Sequence, residues 1–536
     1  MTIKVNVGDG SKEITANVGA VTSRVKVQSP LSLVRRDPTT YNILIIVLDD
    51  IGPEFFDFYS SGIYEDIETT KAKTPNLTAL AEAGIIFDNA YAAPVCSPTR
   101  AQINTGYYPH RTGQGTTNSA TENPTTRLSD SLTWLPEALR DGRGQGVYFR
   151  SAWGKWHMCT PIPGALPTGN DGHPKDNGYQ RYAGQMINAS SNVANGDYDH
   201  YIWRYVTNSG STVASTQIGD TADYLDNEVD VPPSNTSYNT DDNWNAGRNA
   251  RDFVTWANAQ TRPFVAYFCP NPPHAPYQVP PYAYLSAETV AELEAENMPQ
   301  GFKVDPEADI ARTRLVFRAC MEAVDYQIGY IRTNLNSAKR DNLMTIVVGD
   351  NGTEQSCIDE TEDAPLTKSH SKRTVYEQGA RVPLVVHGPL VGAPGRRSSH
   401  FVHVVDIYRT VIDMSWSPYA FTKAPTDTHS ISFFPVIRNP DAPQARSRVW
   451  THTFTPNMGL DEYPANITRD TYAIRDARWK YVSLFANNVS TEQFFDLQSD
   501  PWEANNLYAS GPSGLTAEQL SAFLRLKGEA AAILAS

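Results

Sequence analysis

The sequence predicts an α/β fold: a large, mostly parallel sheet flanked by helices, followed by a smaller C-terminal antiparallel sheet with a packed helix. Three observations predict it. Apolar runs at 42–48, 263–269, 343–348 and 382–386 read as strands buried on both faces. Helical patterns lie between these runs, the alternation that builds doubly wound sheets. Beyond about residue 440 the pattern changes to short alternating strands closed by a helix.

Taken in order, residues 1–40 form a β-rich extension. Ile3-Lys4-Val5-Asn6-Val7 and Val21 to Val27 alternate polar and apolar around a turn at Asp9-Gly10, as strand segments do. The run 74–84 is a punctuated helix, with Thr74 as cap, Pro75 at the first position and Gly84 past the end. A second helix is expected near 134–140 and a short strand near 147–149. From about 160 to 250 the chain is loop-rich and aromatic, an insertion or a substrate-covering region. Helices follow at 251–260 and 309–337, the latter with Val316, Cys320, Val324, Ile328 and Ile331 at helical spacing. Strands at 448–454, 472–475 and 479–485 and a helix from about 516 complete the chain. The expected organisation is therefore 1–40, a main domain at 41–440 and a C-terminal α+β subdomain at 441–536.

With 19% charged and 40% apolar residues, the composition is that of an ordinary globular chain. A net charge of −14 argues against nucleic acid or a heavily sulfated polymer as partner, since either calls for clustered Lys and Arg. Small substrates fit better. Five scattered cysteines make no disulfide framework. No signal-peptide pattern or membrane span is seen, so no membrane partner is expected, and the chain reads as cytoplasmic or trimmed.

Ligands of doubly wound sheets bind beyond the carboxyl ends of the strands. Asp49-Asp50, Lys155-Trp156-His157, His274 and Asp350-Asn351 all fall there. Singly each reads as a turn or cap residue; together they mark a site. Asp49, Asp50, Asp350 and Asn351 are hard oxygen donors suited to Ca²⁺ or Mg²⁺. Cys96-Ser97-Pro98-Thr99-Arg100 places Cys96 at a helix start with Pro98 in its first turn. A structural cysteine and a thiol activated by the helix start both fit this placement. A phosphatase-type loop does not, because Arg100 is too near and no glycine cradle follows.

The Cys96–Arg100 run, continued by Tyr108-Pro109-His110-Arg111-Thr112-Gly113, resembles the Cys-x-Pro-x-Arg signature of the sulfatase family. Asp49-Asp50, Lys155-Trp156-His157, His274, Asp350-Asn351-Gly352, the segment from Lys372 to Pro383 and the closing run from Gln493 to Leu507 match the same family. Thr99 stands where Ser or Ala is more common, and Tyr107 replaces a common Arg.

The resemblance implies an alkaline-phosphatase-like fold and an arylsulfatase-type sulfuric ester hydrolase. It implies that a formylglycine-generating enzyme converts Cys96 to formylglycine, whose hydrate attacks sulfur to give a covalent sulfo-enzyme. Asp49, Asp50, the Cys96 diol, Asp350 and Asn351 would hold one divalent metal, Ca²⁺ ahead of Mg²⁺ or Mn²⁺. Arg100 and Lys155 would polarise the diol, and His157 would take its second proton. His274 and Lys372 would bind the sulfate and assist the leaving oxygen. A phosphonate monoester or phosphodiester hydrolase shares fold and formylglycine but carries His where Asn351 stands, and secondary activity on phosphates is expected. An inactive sulfate-ester-binding protein would need an unconverted thiol or a missing ligand. Tyr198, Tyr201, Trp203, Tyr205 and Tyr224 point toward small aryl or alkyl sulfates, although aromatic walls also line carbohydrate sites.

Overall fold

The computed structural model describes residues 2–8, 11–18, 21–27, 40–65, 67, 71–118, 128–139, 148–158, 174, 177–185, 203–207, 227–231, 244–416 and 418–536. Residues 1–40 are a unit of their own. There Thr2–Gly8 (β1), Ser11–Val18 (β2) and Val21–Val27 (β3) form an antiparallel sheet in that order. The expected turn at Asp9-Gly10 lies outside the described residues.

The second unit spans 41–536. Its main elements are Asn42–Leu48 (β4), Pro75–Glu82 (α1), Ile85–Tyr91 (β5), Cys96–Thr105 (α2), Phe149–Lys155 (β6), Arg181–Gln185 (β7), Trp203–Thr207 (β8), Asn227–Val231 (β9), Asn245–Ala259 (α3), Phe264–Cys269 (β10), Ile310–Asn334 (α4), Leu343–Gly349 (β11), Leu384–His387 (β12), Arg396–His403 (β13) and Asp406–Ser415 (α5). Eight strands make one sheet in the order β13-β5-β12-β11-β4-β10-β6-β7, while β8 and β9 pair separately. Only β12 runs against its neighbours β11 and β5; the other five pairings are parallel.

The central strand shows why the run 42–48 carries no polar alternation. Leu44, Ile46 and Leu48 pack with Phe253 of α3 and Val316 and Val324 of α4. Ile43, Ile45 and Val47 pack on the other face with Ile103 of α2 and Ile407 and Val411 of α5. Each such side chain contributes about 1.5–3 kcal/mol by leaving water, so β4 is anchored from both sides. No helix of the described residues is long and apolar enough to cross a membrane.

Several boundaries differ from expectation. The strand expected near 147–149 runs Phe149–Lys155, so Lys155 sits in β6 itself. The helix expected at 251–260 starts six residues earlier, at Asn245, and the helix near 134–140 is the single turn Leu135–Ala138. β5, β7 and β13 were not anticipated. Thr74 occupies the α1 cap position without capping. Asp325 of α4 does so instead, accepting from Asn76 N at 3.0 Å and Leu77 N at 2.7 Å. Burial pushes its carboxyl up to about 6 despite these bonds. Cys159, Tyr198, Tyr201 and Tyr224 lie outside the described residues.

The C-terminal sheet is a meander of Val449–Thr455 (β14), Arg469–Arg475 (β15), Trp479–Ala486 (β16) and Val489–Asp496 (β17), followed by Ala517–Leu534 (α6). Phe523 and Leu526 of α6 pack on Trp479, Tyr481 and Phe494. The other face meets the main sheet's side of the molecule, with Ala473, Val482 and Phe495 on Val375. A buried ion network fastens the same seam. Lys480 Nζ lies 3.1 Å from Glu377 Oε1 and 2.7 Å from Glu503 Oε1, and Arg475 meets Glu377 Oε2 at 2.8 Å.

Candidate active site

Strands β4 and β11 run side by side with Leu48 opposite Gly349, so Asp49-Asp50 and Asp350-Asn351 leave the carboxyl edge together. β10 separates β4 from β6, which delivers Lys155 and then His157. Cys96 is the first residue of α2, whose C-cap Gly106 is left-handed. The structure brings all of the residues expected at the site into this one region. Cys96, Arg100, Asp49, Asp350 and Asn351 are fully buried, and Asp50, Lys155, His157 and Lys372 nearly so.

The contacts are dense. Lys155 Nζ lies 2.7 Å from Asp49 Oδ2 and 3.3 Å from Cys96 Sγ. Arg100 Nη2 meets Asp350 Oδ2 at 2.8 Å, and its Nη1 donates to Lys155 O at 2.9 Å. Lys372 Nζ lies 2.6 Å from Asp50 Oδ2 and 3.0 Å from Glu354 Oε2. Asn351 Nδ2 donates to Asp50 Oδ1 at 3.0 Å. His274 donates from Nδ1 to Ala275 O at 2.7 Å, with Nε2 3.5 Å from Asp50 Oδ2. His157, at a positive φ of 62°, donates from Nε2 to Asn118 O at 2.9 Å, and its buried Nδ1 has no partner among the described residues.

This crowding moves the titrations. Burial alone raises Asp50, but Lys372, His274 and Lys155 outweigh it and hold the carboxyl far below the usual range. Asp350, buried and beside Asp49, rises to about 6 even with Arg100 and Lys155 close by. Burial and the nearby Lys155 hold His274 down to about 3. The Cys96 thiol goes up, through burial first and Asp350 second. Burial thus works against the thiol activation that the helix start would give.

A divalent cation fits here. Atoms of Asp49, Asp50, Cys96 and His274 lie within 4.8 Å of one another. Asn351 Oδ1 is buried without a hydrogen-bond partner among the described residues, an orphan that costs free energy unless something binds it. His274 thus joins the cluster that sequence reasoning built from Asp49, Asp50, Cys96, Asp350 and Asn351. That reasoning missed Glu354, which bridges Lys372 and Arg373 at 3.0 and 3.2 Å, and Asn118, which orients His157. Neither carries a local signal, because each matters only through a partner remote in sequence. Above Cys96 opens a cleft of about 850 Å³, with Asp50, His274 and Lys372 at its base and residues of β14 to β16 in its wall.

The sulfatase family model matches residues 41–415, well over half of the chain. The chain belongs to the sulfatase family. A second model, the C-terminal region of N-sulphoglucosamine sulphohydrolase, matches residues 368–527. Among curated relatives of this sulfatase-family chain, N-acetylgalactosamine-6-sulfatase of Homo sapiens is 24% identical over 400 residues. That alignment covers 70% of this chain but 62% of the relative, so the chain spans less than two thirds of its length. An arylsulfatase of Klebsiella aerogenes is 24% identical over 387 residues, covering 65% of this chain and 74% of the relative. The solved phosphonate monoester hydrolase of Agrobacterium radiobacter superposes with a TM-score of 0.60 at 19% identity, covering 92% of this chain and 95% of that one. This likeness is one of fold, and the fold is the alkaline-phosphatase-like one expected.

Proposed function

We propose that the protein hydrolyses sulfate monoesters. The observation that carries this reading is the buried arrangement around Cys96: Arg100, Lys155 and Lys372 interleaved with Asp49, Asp50 and Asp350 at the base of an open cleft. Cys96, converted to formylglycine by a formylglycine-generating enzyme, would supply a hydrated aldehyde as nucleophile. Asp49, Asp50, Asp350 and Asn351 would hold one divalent cation, Ca²⁺ ahead of Mg²⁺ or Mn²⁺, which supplies charge neutralisation for the ester oxygens.

The chain's own residues do the rest. Arg100 and Lys155 fix the position of residue 96 and keep positive charge beside it. Lys372 and His274, facing the cleft from its base, bind the sulfate oxygens and assist the leaving oxygen. His157, held by Asn118 through Nε2, keeps Nδ1 available to take a proton. Small aryl sulfates are the substrates that the sequence points to, and the arylsulfatase relative supports testing them first.

A phosphonate monoester or phosphodiester hydrolase is the second reading, favoured by the shared fold. Against it stands Asn351, a neutral amide bonded to Asp50 where those enzymes carry His. The test has two parts. Peptide mass spectrometry across Cys96, on protein made with a formylglycine-generating enzyme, is expected to show the thiol-to-aldehyde change. The converted protein is then expected to prefer p-nitrophenyl sulfate over bis-p-nitrophenyl phosphate. A clear preference for the diester overturns the sulfatase reading, and converted protein that binds aryl sulfates without turning them over supports the inactive binder.

A further inference from the structure

The face of the C-terminal sheet that meets the main domain changes chemistry along its length. Antiparallel partners and residues two apart share a face. One row is Thr451, Ala473 and Val482; the next is Thr453, Thr471 and Leu484; the last is Thr455, Arg469 and Ala486. Where this face lies on Val375 it is apolar. Where it passes over the cleft, Thr453, Thr455, Thr471 and Arg469 form the wall. Valine has the shape of threonine and the same preference for strands, so a wall that only had to close the cleft had no need of hydroxyls. Thr453 spends its hydroxyl on Gly115 O, but those of Thr455 and Thr471 bond to none of the described residues.

Arg469 is the sharper signal. Its neighbour Asp470 faces the other way, to His452 and Tyr463. Among the described residues Arg469 has no carboxylate partner, whereas Arg373 at the same cleft is paired with Glu354. Arg469 is exposed to solvent in the wall of the cleft, so its guanidinium can meet an anion that enters there. The scissile sulfate is served at the base by Lys372 and His274. The cleft, at about 850 Å³, is near the top of the roughly 300–1,000 Å³ range of ligand pockets, so there is room for more than a sulfate and one ring.

We propose that Arg469, with the hydroxyls of Thr455 and Thr471, forms a second subsite that binds another oxyanion on the same substrate. On this reading the natural substrate is a hydroxylated, sugar-like sulfate ester bearing a carboxylate or a further sulfate, in place of the small aryl sulfate that the sequence alone points to. Guanidinium pairs bidentately with either group. The net charge of −14 disfavours a long polyanion more than a small dianion of this kind. The inference rests on the sulfate-ester reading above.

Competition tests it. Position-matched trios are used: glucose monosulfate, glucuronic acid sulfated at the same carbon, and glucose carrying a further sulfate, taken through each ring position. Each is assayed as an inhibitor of p-nitrophenyl sulfate hydrolysis by fully converted enzyme, in the parent, Arg469→Gln and Arg469→Lys. In the parent, the dianionic members of at least one trio are expected to compete about tenfold better than the monosulfate, the worth of a charged hydrogen bond. That ratio collapses in Arg469→Gln and returns in large part in Arg469→Lys. Which dianion wins separates a carboxylate from a sulfate as the natural group. Reading a ratio removes any general damage to the site, which would weaken both inhibitors alike. No advantage for any dianion in the parent, or an advantage that survives Arg469→Gln, overturns the subsite. Failure of the converted enzyme to hydrolyse p-nitrophenyl sulfate or any sulfated sugar overturns the sulfate-ester reading instead.

Discussion

Replacing Lys480 by Met tests the buried seam between the two sheets. Lys480 has two carboxylate partners, Glu377 and Glu503, at 3.1 and 2.7 Å, and all three side chains are nearly inaccessible. Glu377 keeps Arg475 and the Tyr91 hydroxyl, both on Oε2. Among the described residues Glu503 keeps only the Glu377 backbone N–H, at 2.6 Å. The loss therefore falls on Glu503, whose carboxyl burial already pushes up to about 7 from an ordinary 4.5.

Without Lys480 that carboxyl rises further and stays protonated in the folded chain, while the unfolded chain releases its proton. A carboxyl raised in this way costs stability as pH rises. Below about pH 6 Glu503 is protonated with or without Lys480, and the deficit of the variant is small. Above pH 7 the deficit grows by about 1.4 kcal/mol per pH unit, toward the roughly 3–5 kcal/mol typical of a broken buried pair. Urea unfolding at pH 6 and pH 9, followed by tryptophan fluorescence, reads the difference, and Glu503→Gln on top of Lys480→Met should recover most of the loss at pH 9. Equal deficits at the two pH values, or none at pH 9, would refute the reasoning.

Other outcomes are expected from the site. Lys155→Met should lower turnover of the converted enzyme by about 100-fold or more, read as kcat, because among the described residues Asp49 then keeps no cation nearer than Arg100, at 3.7 Å. Exhaustive chelation should abolish hydrolysis and Ca²⁺ should restore it, checked by adding back Ca²⁺, Mg²⁺ and Mn²⁺ separately. Gly154→Ala should lower the melting temperature and activity together. An added Cβ there would stand 1.9 Å from Cys269 O at a φ of 84°, and the strain sits next to Lys155; a fully active, equally stable variant contradicts this.

What the sequence made legible follows from burial. β4, β10 and β11 are apolar at most positions because both faces are covered, so each read as a strand, and the acids just beyond them read as a site. β5 was hidden because Asp88 and Asn89 interrupt its run, serving Arg397 and Ser399. β6 was cut short because Arg150 and Lys155 look like surface residues. Arg150 is buried because Gly178 O and Tyr148 O accept its guanidinium, and Lys155 because Asp49 does. Helix α1 shows the same limit: Thr74 is the local candidate for its cap, but Asp325, 248 residues from Leu77, wins. Glu354, Glu503 and Arg469 acquire meaning only from partners, or the lack of them, that folding brings near.

The burial of Cys96 also has a timetable. Its enclosure depends on pairs made across long stretches of chain: Arg100 with Asp350 over 250 residues, and Lys372 with Asp50 over 322. Ribosomes add about 5–20 residues per second, so roughly 12–50 s separate the synthesis of Arg100 from that of Asp350. During that interval the thiol is not yet enclosed, and in the folded chain it is buried at the base of the cleft with 0% exposure. On the proposed conversion of Cys96, the rate of translation set against the supply of the modifying enzyme would fix what fraction of finished molecules carries an aldehyde. Two preparations with identical sequence and fold would then differ in specific activity for that reason alone.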